Sequence, residues 1–212
     1  MEEKVEVIKN WFGTGSINIF GLPMSGKDTF GTTLAEILGA RLLSSGMIIR
    51  AMEAETRSHY SEQGNLIPSD VFYEWVLPYF GREDLRGLPL ILSSVGRWSG
   101  EENAVIENAQ AYSHTIRAAG LLNISEADVE QRWHEAHDNG ARIGVPGEAR
   151  KDDSKIEIFK QRCEEFRLKT MPVLQHYKSL GLLLPVNADA PREVVVTNVI
   201  NALYDFATRP QA

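Results

Sequence analysis

The chain's 212 residues, 43% apolar and 24% charged, can bury a full core in one compact domain. Its 22 Lys and Arg against 29 Asp and Glu leave a formal charge of −7, which argues against a general binder of nucleic acid or anionic membrane, so any anion must be met by clustered arginines. No apolar run approaches the roughly 18 residues that span a bilayer, Met1-Glu2-Glu3-Lys4 has no secretory pattern, and a single cysteine, Cys163, permits neither an intrachain disulfide nor a cysteine-built zinc cluster.

In chain order, residues 3–12 are predicted as a short leader helix before a strand at 17–20, Ile17-Asn18-Ile19-Phe20. Gly21-Leu22-Pro23-Met24-Ser25-Gly26-Lys27-Asp28-Thr29 follows at once and carries the G-x-x-x-x-G-K pattern of a phosphate-binding loop. Glycines let successive backbone N–H groups curl around an anion, the lysine ammonium reaches terminal phosphates, and the next helix adds its positive dipole end. That helix is predicted from Lys27 to about Leu38, with Phe30, Leu34, Ile37 and Leu38 at helical spacing and Gly39 as its stop.

Arg41-Leu42-Leu43 reads as a short strand, and residues 47–60 and 69–80 as helices around the turn-rich Gly64-Asn65-Leu66-Ile67-Pro68. Leu88 to Ser93 is a buried strand, Glu101 to about Ala118 a helix beginning after Ser99, Leu121-Leu122-Asn123-Ile124 a strand, and Glu126 to about Ala136 a helix. The polar, glycine-rich stretch from His137 to Asp153 is longer than a median connection and reads as a flap. A helix from Ile156 to Tyr177, a strand from Leu182 to Val186 and a helix from about Arg192 to Phe206 complete the alternation. Such an order specifies an α/β fold, a parallel sheet with helices on both faces.

After the loop come Leu43-Ser44-Ser45-Gly46-Met47-Ile48-Ile49-Arg50, then Gly64 to Pro68, then Arg150-Lys151-Asp152-Asp153 with Arg162 beyond it, and finally Thr170-Met171-Pro172-Val173-Leu174-Gln175-His176-Tyr177. These blocks and their order resemble the adenylate kinase family of nucleoside monophosphate kinases over about residues 17–206. The family's corresponding blocks read G-x-P-G-S-G-K-G-T, L-S-T-G-D-x-x-R, G-x-L-V-P, R-x-D-D and T-x-P-L-x-x-Y-Y.

The resemblance implies a P-loop NTPase-type sheet in one kinase domain, 1–212. Its core would be 1–44, 81–136 and 151–212, with a monophosphate-binding insertion at 45–80 and a short lid at 137–150. It also implies reversible transfer of the γ-phosphoryl group of ATP to a nucleoside monophosphate, AMP first, with Mg2+ on the donor, in a cytoplasmic monomer. Carried over by position, Met24, Ser25, Gly26, Lys27, Asp28, Thr29 and Arg132 would hold ATP, with Arg132 stacked on the donor base. Ser45, Arg50, Asn65, Leu66, Ile67, Ser94, Arg97, Glu101, Arg150 and Arg162 would hold the monophosphate. Lys27, Arg97, Arg150 and Arg162 would act in transfer, because two polyphosphates brought head to head repel and guanidinium groups are permanently charged, bidentate donors.

The chain departs from the family's L-x-D-G-F-P-R at Ile91-Leu92-Ser93-Ser94-Val95-Gly96-Arg97, where the carboxylate that orients waters on magnesium is Ser93. Two readings of Asp28 stand: a compensating carboxylate near the metal, with Thr29, or an acid that favours the helix dipole. Glu101 replaces a family glutamine, and again two readings stand. As an acceptor pair it suits the N1–H and N2–H of guanine; otherwise it is a first-turn acid beside a capping box from Ser99 to Glu102.

Ala136 falls where the family commonly has an arginine, for which Arg142 is the candidate substitute, and Ala190 falls where some members have a lysine near the donor base. His134 and His137 lack metal-helix spacing, while Trp133 and Cys163 read as packing. Competing functions are a kinase preferring another monophosphate such as GMP, and a catalytically weak nucleotide sensor of the same fold. A GTPase switch lacks its N-K-x-D motif.

Overall fold

A computed structural model describes residues 1–60, 64–138 and 155–209. Five strands among them, β1 (Ser16–Gly21), β2 (Arg41–Ser44), β3 (Leu90–Ser93), β4 (Ile116–Asn123) and β5 (Leu183–Asn187), form one parallel sheet in the order β2-β3-β1-β4-β5. Every residue of β1 and β3 is buried, as a parallel sheet covered on both faces requires.

Helix α1 (Glu2–Phe12) precedes β1, and α2 (Lys27–Leu38) follows it. Between β2 and β3 run α3 (Ser45–Thr56), α4 (Ser69–Trp75) and two short 3-10 turns, Leu77–Gly81 and Glu83–Leu85. Then come α5 (Glu101–Ala111), α6 (Glu126–Asp138), α7 (Ile156–Glu165), α8 (Met171–Ser179) and α9 (Arg192–Thr208). Helices α1, α2 and α9 pack on one another, while α5 and α8 are joined by His176 and Glu102 at 3.2 Å.

The leader is part of the core. Ile8 and Phe12 are buried, Trp11 meets Phe206 edge-on at 5.9 Å, and Lys4 Nζ donates to Asn201 Oδ1 at 2.8 Å. Truncating a buried aromatic removes apolar burial and leaves a cavity, so Phe12→Ala is expected to cost about 3–5 kcal/mol. Urea unfolding checks this through a lowered midpoint with an unchanged slope.

Several predicted elements need correction. The helix from Glu101 ends at Ala111, not near Ala118, because Ser113 takes φ +66 and His114 N–H turns back to Ala109 O at 2.7 Å; β4 therefore starts at Ile116, not Leu121. The helix predicted over 156–177 widens to a π-turn at Phe166–Thr170 before α8, since Pro172 brings no N–H and its ring crowds the carbonyl four residues back. The helices predicted at 47–60 and 69–80 are shorter, Ser45–Thr56 and Ser69–Trp75. His137, predicted as the start of the flap, sits within α6, its ring stacked on Trp133 at 3.7 Å. Arg142 and Arg150 lie outside the described residues, as does most of the predicted lid. No described helix is long and apolar enough to cross a membrane.

Candidate functional site

The carboxyl ends of the strands form one edge of the sheet, the place where open α/β folds bind ligands. The loop after β1 curls there through Met24 at φ +63 and Gly26 at φ +83, a left-handed conformation that costs glycine little, and delivers Lys27 as the first residue of α2. Ser25 is 5% exposed, and its Oγ has no hydrogen-bond partner among the described residues. A buried hydroxyl left unpaired inside a curled loop is matched when an anion enters.

Two clefts gather the predicted site residues. The first is lined by Ser45, Arg50, Asn65, Leu66, Ile67, Ser94, Arg97, Glu101 and Arg162, together with Gly46, Ile49, Gly64, Phe72, Gly96 and Trp98. Every described residue predicted to hold the monophosphate is thus on one wall or another of it. Gly64, at φ +77, lets the turn approach α7 closely: a Cβ there would fall 3.0 Å from Ile158 O and 3.1 Å from Arg162 Cγ. The second cleft is lined by Met24, Ser25, Gly26, Thr29, Phe30, Arg132, Ala188, Ala190, Pro191 and Val195. Arg132 Nη2 donates to Ala188 O at 3.1 Å, tying α6 to the turn after β5.

Cations converge on the first cleft. Arg97 donates from Nε to Thr170 Oγ1 at 3.3 Å, in the π-turn. Burial, and then the like charge of Arg162, push its pKa down to about 10, against the pull of Glu165, Glu101 and Asp28. Arg97 is still charged at neutral pH, but at a cost that a phosphate would relieve.

Ser93 Oγ donates to Asp28 Oδ1 at 2.6 Å. The carboxylate predicted to compensate for Ser93 therefore touches it.

No family model matches the chain. Three curated proteins called adenylate kinase are similar to it. The one from Methylobacterium nodulans is 29% identical over 181 residues, covering 82% of this chain and 89% of its own. That of Thermosynechococcus vestitus is 27% identical over 192 residues, covering 85% and 93%, and that of Chlamydia muridarum 25% over 221 residues, covering 87% and 85%. The chain is similar to adenylate kinases over most of its length.

Against the adenylate kinase pattern, Glu101 is the departure whose surroundings say most. Its Oε2 accepts from Arg97 N at 2.7 Å and Trp98 N at 3.0 Å, and its Oε1 accepts from Ser69 Oγ at 2.7 Å. It is 2% exposed, and burial raises its pKa even against those hydrogen bonds. The carboxylate is committed to shaping the turn that carries Arg97. The predicted capping box is also different: Gly100 is the N-cap, and Glu102 Oε2 accepts from Gly100 N at 2.7 Å with no side-chain cap from Ser99.

Trp133, 7% exposed, packs near Phe159, and Cys163 is buried with its thiol pKa pushed up to about 11, chiefly by burial, which makes it an inert core residue.

Several residues that build the adenylate kinase-like cleft carried no motif. Asn18, the polar residue within the apolar β1, donates to Val95 O at 2.7 Å and accepts from Val95 N at 3.2 Å, fixing the turn after β3. Trp98 Nε1 donates to Ile67 O at 3.1 Å, and Lys169 Nζ lies 4.0 Å from the centre of its ring while pairing with Glu165. Glu165 in turn accepts from Leu66 N at 3.3 Å. Of these, only Asn18 had a signal in sequence, an amide in a strand otherwise apolar.

Proposed function

We propose that this chain is a nucleoside monophosphate kinase that transfers the γ-phosphoryl group of ATP reversibly to a monophosphate, AMP before others. The observation that carries the reading is the pair of clefts, one lined by Arg50, Arg97 and Arg162, the other by the loop residues Met24, Ser25 and Gly26 and by Arg132. Met24 to Thr29 and Arg132 bind the donor, with Arg132 against its base. Arg50 and Arg97 hold the acceptor phosphate, while Lys27 and Arg162, with Arg150 beyond the described residues, neutralise the group in flight. Positioning and charge neutralisation are what phosphoryl transfer asks of a protein. Segment 45–80 carries the acceptor and 137–150 excludes water.

The donor-side side chains fit magnesium, because Thr29, Asp28 and Ser93 offer only hard oxygen atoms. When bound with ATP, the metal would be held by Thr29 and Asp28 and would neutralise developing phosphate charge.

AMP ranks first because the similar proteins are adenylate kinases and because Glu101 is engaged. Guanine needs both of its oxygens, and Oε2 already accepts two N–H groups. A glutamine could accept from the same two N–H groups and donate to Ser69. Glu101→Gln is therefore expected to leave the ranking of acceptors unchanged in a coupled assay of ADP formation with ATP, Mg2+ and AMP, GMP, CMP, UMP or dTMP. A switch of ranking would make Glu101 a base reader. Ser93 favours one second reading, a sensor that binds nucleotide without transferring phosphate; nucleotide binding with no ADP formed for any acceptor would establish it.

A further inference from the structure

In P-loop NTPases generally, the residue after the loop lysine is a Ser or Thr, and a second strand supplies an aspartate; the hydroxyl and the carboxylate together hold the magnesium of the nucleotide. This chain has both side-chain types at those two positions, but exchanged. The carboxylate, Asp28, follows Lys27 at the start of α2, and the hydroxyl, Ser93, ends β3. β3 lies directly beside β1, with Ile19 in register with Ser93, so the two side chains meet across the seam with the hydroxyl donating at 2.6 Å. Three residues before Asp28, Ser25 lines the donor cleft, its buried Oγ unpartnered among the described residues.

We infer that Asp28 is the carboxylate that positions the magnesium of the donor nucleotide, oriented by Ser93, in a hydroxyl–carboxylate exchange between the loop and the neighbouring strand. Ser93 can donate one proton, and donating it to Asp28 Oδ1 fixes the carboxylate plane. Asp28 also pulls on Arg97 electrostatically, so the same group faces donor metal and acceptor arginine. Asp28 is a positioning residue here, acting on phosphate through the metal. The inference rests on the kinase reading for its substrate but not for its test.

The test measures ADP affinity by calorimetry with excess Mg2+ and with EDTA, and the binding of Mn2+ to the protein–ADP complex by electron paramagnetic resonance. Asp28→Asn keeps the size of the side chain and an acceptor for Ser93, so the fold is retained. It is expected to cut the magnesium enhancement of ADP affinity about 10- to 100-fold, the range for removing a partner that orients a metal site, while affinity in EDTA holds or rises. The exchange double variant Asp28→Ser with Ser93→Asp, which restores the general order, is expected to recover most of that enhancement where Asp28→Ser alone does not. An undiminished enhancement in Asp28→Asn, or a double variant no better than Asp28→Ser, overturns the inference. Failure of the kinase reading looks different: wild-type protein would bind Mg-ADP normally and form no ADP from ATP and any monophosphate.

Discussion

Arg162→Ala is expected to lower kcat about 10³-fold, the lower end of what a transition-state arginine supplies in phosphoryl transfer, with KM for both nucleotides within a few-fold of wild type. Arg162 reaches the acceptor cleft from α7, where the missing side chain of Gly64 makes room for its stem. Its charge is close enough to Arg97 to be the second largest cause of that residue's depressed pKa. Two guanidinium groups so placed repel in the empty cleft, and the repulsion is relieved most when a phosphoryl group carries its greatest negative charge between them. That is differential stabilisation, and its kinetic signature is a loss in kcat. Arg162→Lys should recover little, because an ammonium cannot reproduce the planar fork. Arg97→Ala should instead raise acceptor KM, since Arg97 is anchored by its Nε to Thr170. Two-substrate kinetics separate the cases. If Arg162→Ala raised acceptor KM and spared kcat, Arg162 would belong to ground-state binding.

The parts of this site legible in sequence are those where local chain chemistry decides. The loop at 21–29 needs only its glycines and a lysine, and the alternation of strand and helix gave the parallel sheet without any contact information. What was not legible depends on strand order. Nothing local says that position 28 meets position 93; that follows from β3 lying beside β1, although the gain of an acid at one and its loss at the other could be noticed. The Trp98 to Ile67 contact and the Glu165 to Leu66 contact tie the Gly64–Pro68 block to residues far away in sequence that belong to no motif. The start of β4 was missed for a different reason. Its alanines favour helix, and the turn before it uses Ser113 at positive φ where glycine would have signalled a stop. The π-turn at 166–170 was foreshadowed by Pro172, a signal that helical periodicity on both sides concealed.

Lys27→Met is the second large effect expected, about a 10²- to 10³-fold loss of kcat, the range for deleting one preorganised donor in an electrostatic site. Gly26 in the left-handed region turns the chain so that α2 begins at Lys27, which is half-buried. The backbone N–H groups of the loop and the end of the helix dipole bind phosphate in ground and transition states alike, and they survive the substitution. What is lost is a mobile point charge able to follow the phosphoryl group from donor to acceptor. Methionine keeps most of the stem's apolar packing, so thermal unfolding without nucleotide should be unchanged, and ATP affinity should fall less than kcat. Lys27→Arg should rescue poorly, because a wide planar group does not fit where a compact ammonium does. The measurement is single-turnover transfer beside equilibrium ATP binding on the same variant. A loss confined to ATP binding, with transfer at saturating ATP intact, would reduce Lys27 to an anchor for the donor and leave charge neutralisation to the arginines.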